Sequence, residues 1–158
     1  MRSIRTVSLL ALVLMALPAS AGNLIGTWVG SFACKTENAN GKGTLREPTS
    51  TLLISQPDPG TSPLRLTIDG VQYTGSIVPS NSNPTTDGVG AIVACGTSDA
   101  EGAGFHEIEL IRWKVEADGV RGSIKKAGVF VTKGQEIGAC KGGWVRTSTT
   151  DPGIGACP

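Results

Sequence analysis

The sequence predicts an all-β domain of eight antiparallel strands, bonded by disulfides, and three observations carry that expectation. After about residue 21 the helical period all but disappears, and short apolar runs recur between glycines and prolines, the pattern of strands and turns. Several runs alternate apolar and polar residues at period two. The cysteines, Cys34, Cys95, Cys140 and Cys157, form an even set with no C-x-x-C spacing, which reads as two disulfides rather than a metal site.

The chain opens with Arg2 and Arg5, an apolar run from Val7 to Leu17, and the small residues of Pro18-Ala19-Ser20-Ala21. These are the three parts of an export signal cleaved after Ala21. A membrane anchor would need about 20 apolar residues, roughly twice this run. The expected organisation is a signal peptide over 1–21, one domain over 22–147 and a tail over 148–158. The destination is secreted or periplasmic, where disulfides form. Without Arg2 and Arg5, twelve basic side chains face thirteen acidic ones. So balanced a chain gives no electrostatic ground for nucleic acid or an anionic membrane, and no second apolar segment is long enough to span one.

Eight strands are expected: Leu24–Cys34, Ser50–Gln56, Leu64–Asp69, Val71–Val78, Val89–Cys95, His106–Glu116, Val120–Thr132 and Ala139–Thr147. Leu64, Leu66 and Ile68 share one face, and Val71, Tyr73 and Ile77 continue it after Asp69-Gly70, a pair suited to a tight hairpin. Asp118-Gly119 turns between the two longest strands. Those strands break phase: Ile108 and Leu110 are out of step with Ile111, Trp113 and Val115, and Val120 and Ile124 with Val129 and Val131. A β-bulge in each would restore one buried face, as in a tightly coiled sheet. Lys35–Thr49, Pro79–Gly88 and Gly96–Gly104 are polar or glycine-rich and are expected as exposed loops.

Catalytic groups are few. His106 is the only histidine, with Glu107 and Glu109 on the strand beside it, and is expected as a surface or rim residue. Five of the six aspartates stand in turn sequences and Asp99 in a loop, which disfavours a paired-carboxylate hydrolase. Gly96-Thr97-Ser98-Asp99-Ala100 ends in alanine where a nucleophile elbow needs glycine. Gly41-Lys42-Gly43-Thr44 has Thr36 where a phosphate loop needs its first glycine. No enzyme activity, cofactor or metal is expected.

The first strand reads Leu24-Ile25-Gly26-Thr27-Trp28-Val29-Gly30 and the last Gly142-Gly143-Trp144-Val145-Arg146. A Gly-x-Trp opening strand with an arginine late in the closing one resembles the calycin group, which includes lipocalins and avidins. The resemblance implies an eight-stranded antiparallel up-and-down barrel, with Trp28 plugging one end and Arg146 packed over it. The first and last strands of such a barrel pair, and partner numbers in an antiparallel ladder have a constant sum. Trp28 with Arg146 and Cys34 with Cys140 share one sum, and that register also sets Gly30 opposite Trp144. It implies Cys34–Cys140 and Cys95–Cys157, with Cys34–Cys95 and Cys140–Cys157 as the open alternative. Seven aromatics in the whole chain are too few for an avidin pocket, and Gly22-Asn23 is too short for the inserted arm of the group's metalloprotease inhibitors.

Small barrels fill with side chains or hold a cavity. Small residues at Gly75, Ala91, Gly122 and Gly142, expected inside beside Tyr73, Trp113 and Phe32, would leave room for a small apolar ligand. Trp113, Tyr73 and Phe32 are the candidate ligand-binding residues. The alternative function is a secreted or periplasmic inhibitor or interaction protein that meets a partner protein through the long loops Lys35–Thr49 and Pro79–Gly88.

Overall fold

A computed structural model describes residues 23–56, 63–83, 85–95, 106–132 and 136–158. Eight strands, β1 (Gly26–Asn38), β2 (Gly41–Ser55), β3 (Leu64–Ile68), β4 (Val71–Pro79), β5 (Asp87–Ala94), β6 (His106–Val115), β7 (Gly122–Val131) and β8 (Glu136–Ser148), form a closed barrel in sequence order. Every neighbouring pair is antiparallel, including β1 with β8, so the sheet has no free edge. The disulfides are Cys34–Cys140 and Cys95–Cys157. The expected export segment and the Gly96–Gly104 stretch lie outside the described residues.

The closing register pairs Trp28 with Arg146, Gly30 with Trp144 and Cys34 with Cys140. A Cβ on Gly30 would meet the backbone of Gly143 and Trp144, whereas the Trp144 ring itself lies against Gly142. The same device recurs: the Trp113 ring covers Gly88, the Trp28 ring Gly122 and the Phe130 ring Gly138. Each large ring occupies the space a glycine leaves by lacking a side chain. At the Asp69-Gly70 hairpin both residues take positive φ, 49° and 90°, as a two-residue turn demands.

Three sequence expectations are corrected. Lys35–Thr49 is no loop: β1 and β2 continue through it as a ladder down to Asn38 opposite Gly41. Most of that extension is exposed, so it needs no apolar alternation, and its backbone pairing carries it. β6 and β7 hold no bulge, and their register is unbroken from His106–Val131 to Val115–Gly122. Register shifts fall instead in β1, between Gly30 and Phe32 against β2 and between Thr27 and Trp28 against β8. Ala91 points outward, and Ile92 takes the inward position.

The interior of the half that begins β1 is packed with Leu24, Trp28, Trp113, Val115, Ile124 and Trp144, all buried. From the end of β8, the tail passes outside β2 and β4. Asp151 accepts from Ser55 Oγ, Gln72 Nε2 donates to the carbonyls of Gly155 and Ala156, and Cys157 reaches Cys95.

Candidate functional site

The unbroken register of β6 and β7 fixes which side chains enter the barrel. Counting back from the buried Val115, Trp113 and Ile111, strict alternation turns Glu109 and Glu107 inward and leaves Ile108 and Leu110 outside. On β7 the same rule turns Lys126 inward between Ile124 and Phe130. The phase break in the sequence therefore marks charged residues inside and apolar residues outside, with no extra residue in either strand.

These three charges meet. Lys126 Nζ lies 2.6 Å from Glu109 Oε1 and 3.4 Å from Glu107 Oε1, with all three side chains almost wholly buried. Tyr73 Oη donates to Glu107 Oε2. The ammonium also lies 5.0 Å from the centre of the Phe32 ring and 5.7 Å from that of Trp144, within cation–π range. Burial costs such ions several kcal/mol each, which mutual attraction and hydrogen bonds must offset.

One ammonium between two carboxylates leaves an excess negative charge. Burial raises the Glu109 carboxyl to about 8, reinforced by its hydrogen bond to Glu107 and opposed by Lys126. Its Oε2 accepts no hydrogen bond from a protein N–H or O–H, which suits an oxygen that carries the proton better than a charged one. Burial also opposes ionisation of Glu107, but the hydrogen bond from Glu109, the Lys126 charge and Tyr73 outweigh it and hold that carboxyl below its usual 4.5. At neutral pH the pair thus keeps one proton, and the cluster is close to neutral.

Above the cluster the barrel is open. A cavity of 290 Å³ is floored by Glu107, Lys126 and Tyr73 and walled by Phe32, Val71, Ile68, Phe130 and the Cys34–Cys140 bridge. Below Lys126, among Ile111, Ile124, Leu66 and Trp144, only about 10 Å³ is free. That is scarcely room for one water. The lysine is the partition between a filled half and a cup.

Of the residues singled out in the sequence, Tyr73 and Phe32 line the cup, whereas Trp113 is buried in the packed half and does not. Trp28 and Arg146 meet at the closed end, the guanidinium 4.4 Å from the ring centre. Arg146 donates to the Gly119 carbonyl at 3.0 Å and to that of Asn23, while Trp28 Nε1 donates to the Leu24 carbonyl at 3.1 Å. His106 opens β6, and its side chain lies outside the described residues.

Glu107, Glu109 and Lys126 were missed in the sequence because a bulge was invoked to keep charges out of the barrel. The available signal was complementary: strict alternation through both strands puts charges of opposite sign on one face of a hairpin. Among the described residues, Glu107, Glu109 and Cys140 also lie close enough together to suggest a metal site. Their chemistry argues otherwise, since the Cys140 sulfur is bonded to Cys34 and the Lys126 ammonium already takes the place of a cation.

Comparison of the chain with protein-family models, with curated proteins and with solved structures finds no match.

Proposed function

We propose that the protein is an exported, calycin-like barrel that binds a small, mainly apolar molecule in its cup and is not an enzyme. The observation that carries this is the 290 Å³ cavity, whose mainly apolar walls, with Glu47 and Asp69 among them, descend to a polar floor that is close to neutral. Its volume is near the lower end of small-molecule sites, about 300 to 1,000 Å³. A ligand with a compact apolar body and one uncharged polar group suits it, the body against Phe32, Phe130 and Val71 and the polar group toward Tyr73 and Lys126. Glu107, which lines the cavity, is held ionised by Lys126 and Tyr73, and Glu109, which keeps the proton, does not line it, which favours binding over acid–base chemistry. The two disulfides agree with an oxidising compartment, and the N-terminal segment is read as the export signal that leads there.

The inhibitor alternative is weaker, since Lys35–Thr49, one of the two loops it relied on, is strand. Native mass spectrometry of protein recovered from its source tests the binding reading. A retained small mass is expected, and Val71→Trp, which fills the cup, should abolish it while β circular dichroism persists. A barrel that carries nothing and takes up no apolar fluorescent probe would refute this reading.

A further inference from the structure

We propose that the outer face of β5–β8 is a docking surface for an anionic lipid bilayer. The outward positions at the cup end of these strands are apolar and exposed: Val93 is 41 % exposed, Ile108 59 %, Leu110 65 %, Val129 57 %, Val131 42 % and Ile137 57 %. They are neighbours in the ladders, Val93 beside Ile108, Ile108 beside Val129 and Val131 beside Ile137, and so form one patch. Its exposed apolar area is on the order of 500 Å², as much as the largest patch of an ordinary monomer, and patches of that size are often functional.

Charge names the occupant. The outward positions of β5 to β8, with those of β1 from Val29 to Glu37, hold five cations, Arg112, Lys114, Lys125, Lys141 and Lys35, against two carboxylates, Asp87 opposite Lys114 and Glu37 opposite Ile137. Composition hides this, because the chain as a whole is nearly balanced and only the fold gathers cations onto one side. An isologous pairing of two copies would set five cations against the same five. Anionic lipid supplies headgroup charge for the cations and hydrocarbon for the patch. The opposite face cannot compete, since the tail crosses it from Ser55 to Gln72. A groove of 810 Å³ past Val129, Val131, Ile137 and Lys35, also lined by Glu37 with its ion-pair partner Lys42, adds concave, mainly apolar surface next to the cup rim.

The test is flotation of the full protein, purified from an oxidising compartment, with vesicles of phosphatidylcholine alone or mixed with phosphatidylglycerol. Binding is expected only to the mixed vesicles, weakening as salt rises. Arg112→Gln with Lys125→Gln should lower it about 25-fold, at roughly fivefold per cation. Leu110→Ser with Val129→Ser should lower it about tenfold or more. Arg65→Gln, on the opposite face, should leave it unchanged. The four β6–β7 substitutions point outward, so circular dichroism should confirm intact barrels. Every variant keeps the same N-terminus, so vesicle binding that survives both double substitutions is carried elsewhere and overturns the proposal. So does no binding, or a stable dimer in sedimentation that Leu110→Ser dissociates.

Discussion

The two halves of the barrel solve the problem of filling an eight-stranded interior in opposite ways. Toward the start of β1, three indoles lie over glycines, Trp28 over Gly122, Trp113 over Gly88 and Trp144 over Gly142, and only about 10 Å³ is left free. Toward the β1–β2 hairpin tip, the interior ends in a buried Glu–Lys–Glu group, and above it the walls leave 290 Å³. Packing therefore concentrates stability in one half. That frees the other to hold a cavity and three buried charges, features that contribute little or are costly to the fold.

Substitutions should separate the halves. Trp113→Ala in the packed half should cost about 3–5 kcal/mol in urea denaturation, the range for emptying an aromatic site in a tight core. At the partition, Lys126→Met leaves two carboxyl groups without their cation and should cost about 3 kcal/mol or more. Replacing all three charges by apolar residues together should cost far less, because the desolvation penalty vanishes with the charges. A triple variant no more stable than Lys126→Met would show that the ion group stabilises in its own right.

The pH dependence sharpens the contrast further, since the carboxyl raised to about 8, that of Glu109, sits at the partition. Glu109 is raised from 4.5 to about 8, so the stability tied to its protonation is fully present below about pH 4.5 and is lost as pH rises toward 8. Glu107 is lowered, so its contribution is present above 4.5 and fades as pH falls through its depressed value. Stability at pH 8 should therefore lie about 2 kcal/mol or more below that at pH 5, and Glu109→Gln should flatten the difference. An unchanged slope in that variant would place the titrating group elsewhere. The smallest effect belongs to the cup wall. Phe32→Ala, at a half-buried ring beside open space, should cost only about 1 kcal/mol while weakening any ligand found by native mass spectrometry.

Much of this architecture was legible in residues whose meaning is local. Leu64, Leu66 and Ile68 alternate as their burial requires, and Asp69-Gly70 marks its hairpin because few other pairs tolerate that backbone. The likeness to calycin barrels implied closure and a register shared by Trp28–Arg146 and Cys34–Cys140, and the structure has both. The candidate site was only half visible. Tyr73 and Phe32 stood out as aromatics, but Glu107, Glu109 and Lys126 look like surface residues until a partner is placed across from them. The hairpin extension Lys35–Thr49 was hidden for the converse reason, since a ladder wet on both faces leaves no hydrophobic period to read.

By itself, then, the amino-acid order determined the number of strands, which depends on alternation and turn chemistry, while the closure of the first strand on the last and the bond between them were implied by the likeness to calycin barrels, with one other pairing left open. Only the tertiary structure decided that the barrel is filled below Lys126 and empty above it, that Lys126 and a carboxyl pair holding one proton neutralise one another inside, and that cations and apolar side chains share one outer face. Those properties depend on distances between strands remote in sequence. The free energy of a buried charge depends on what surrounds it as much as on which residue carries it.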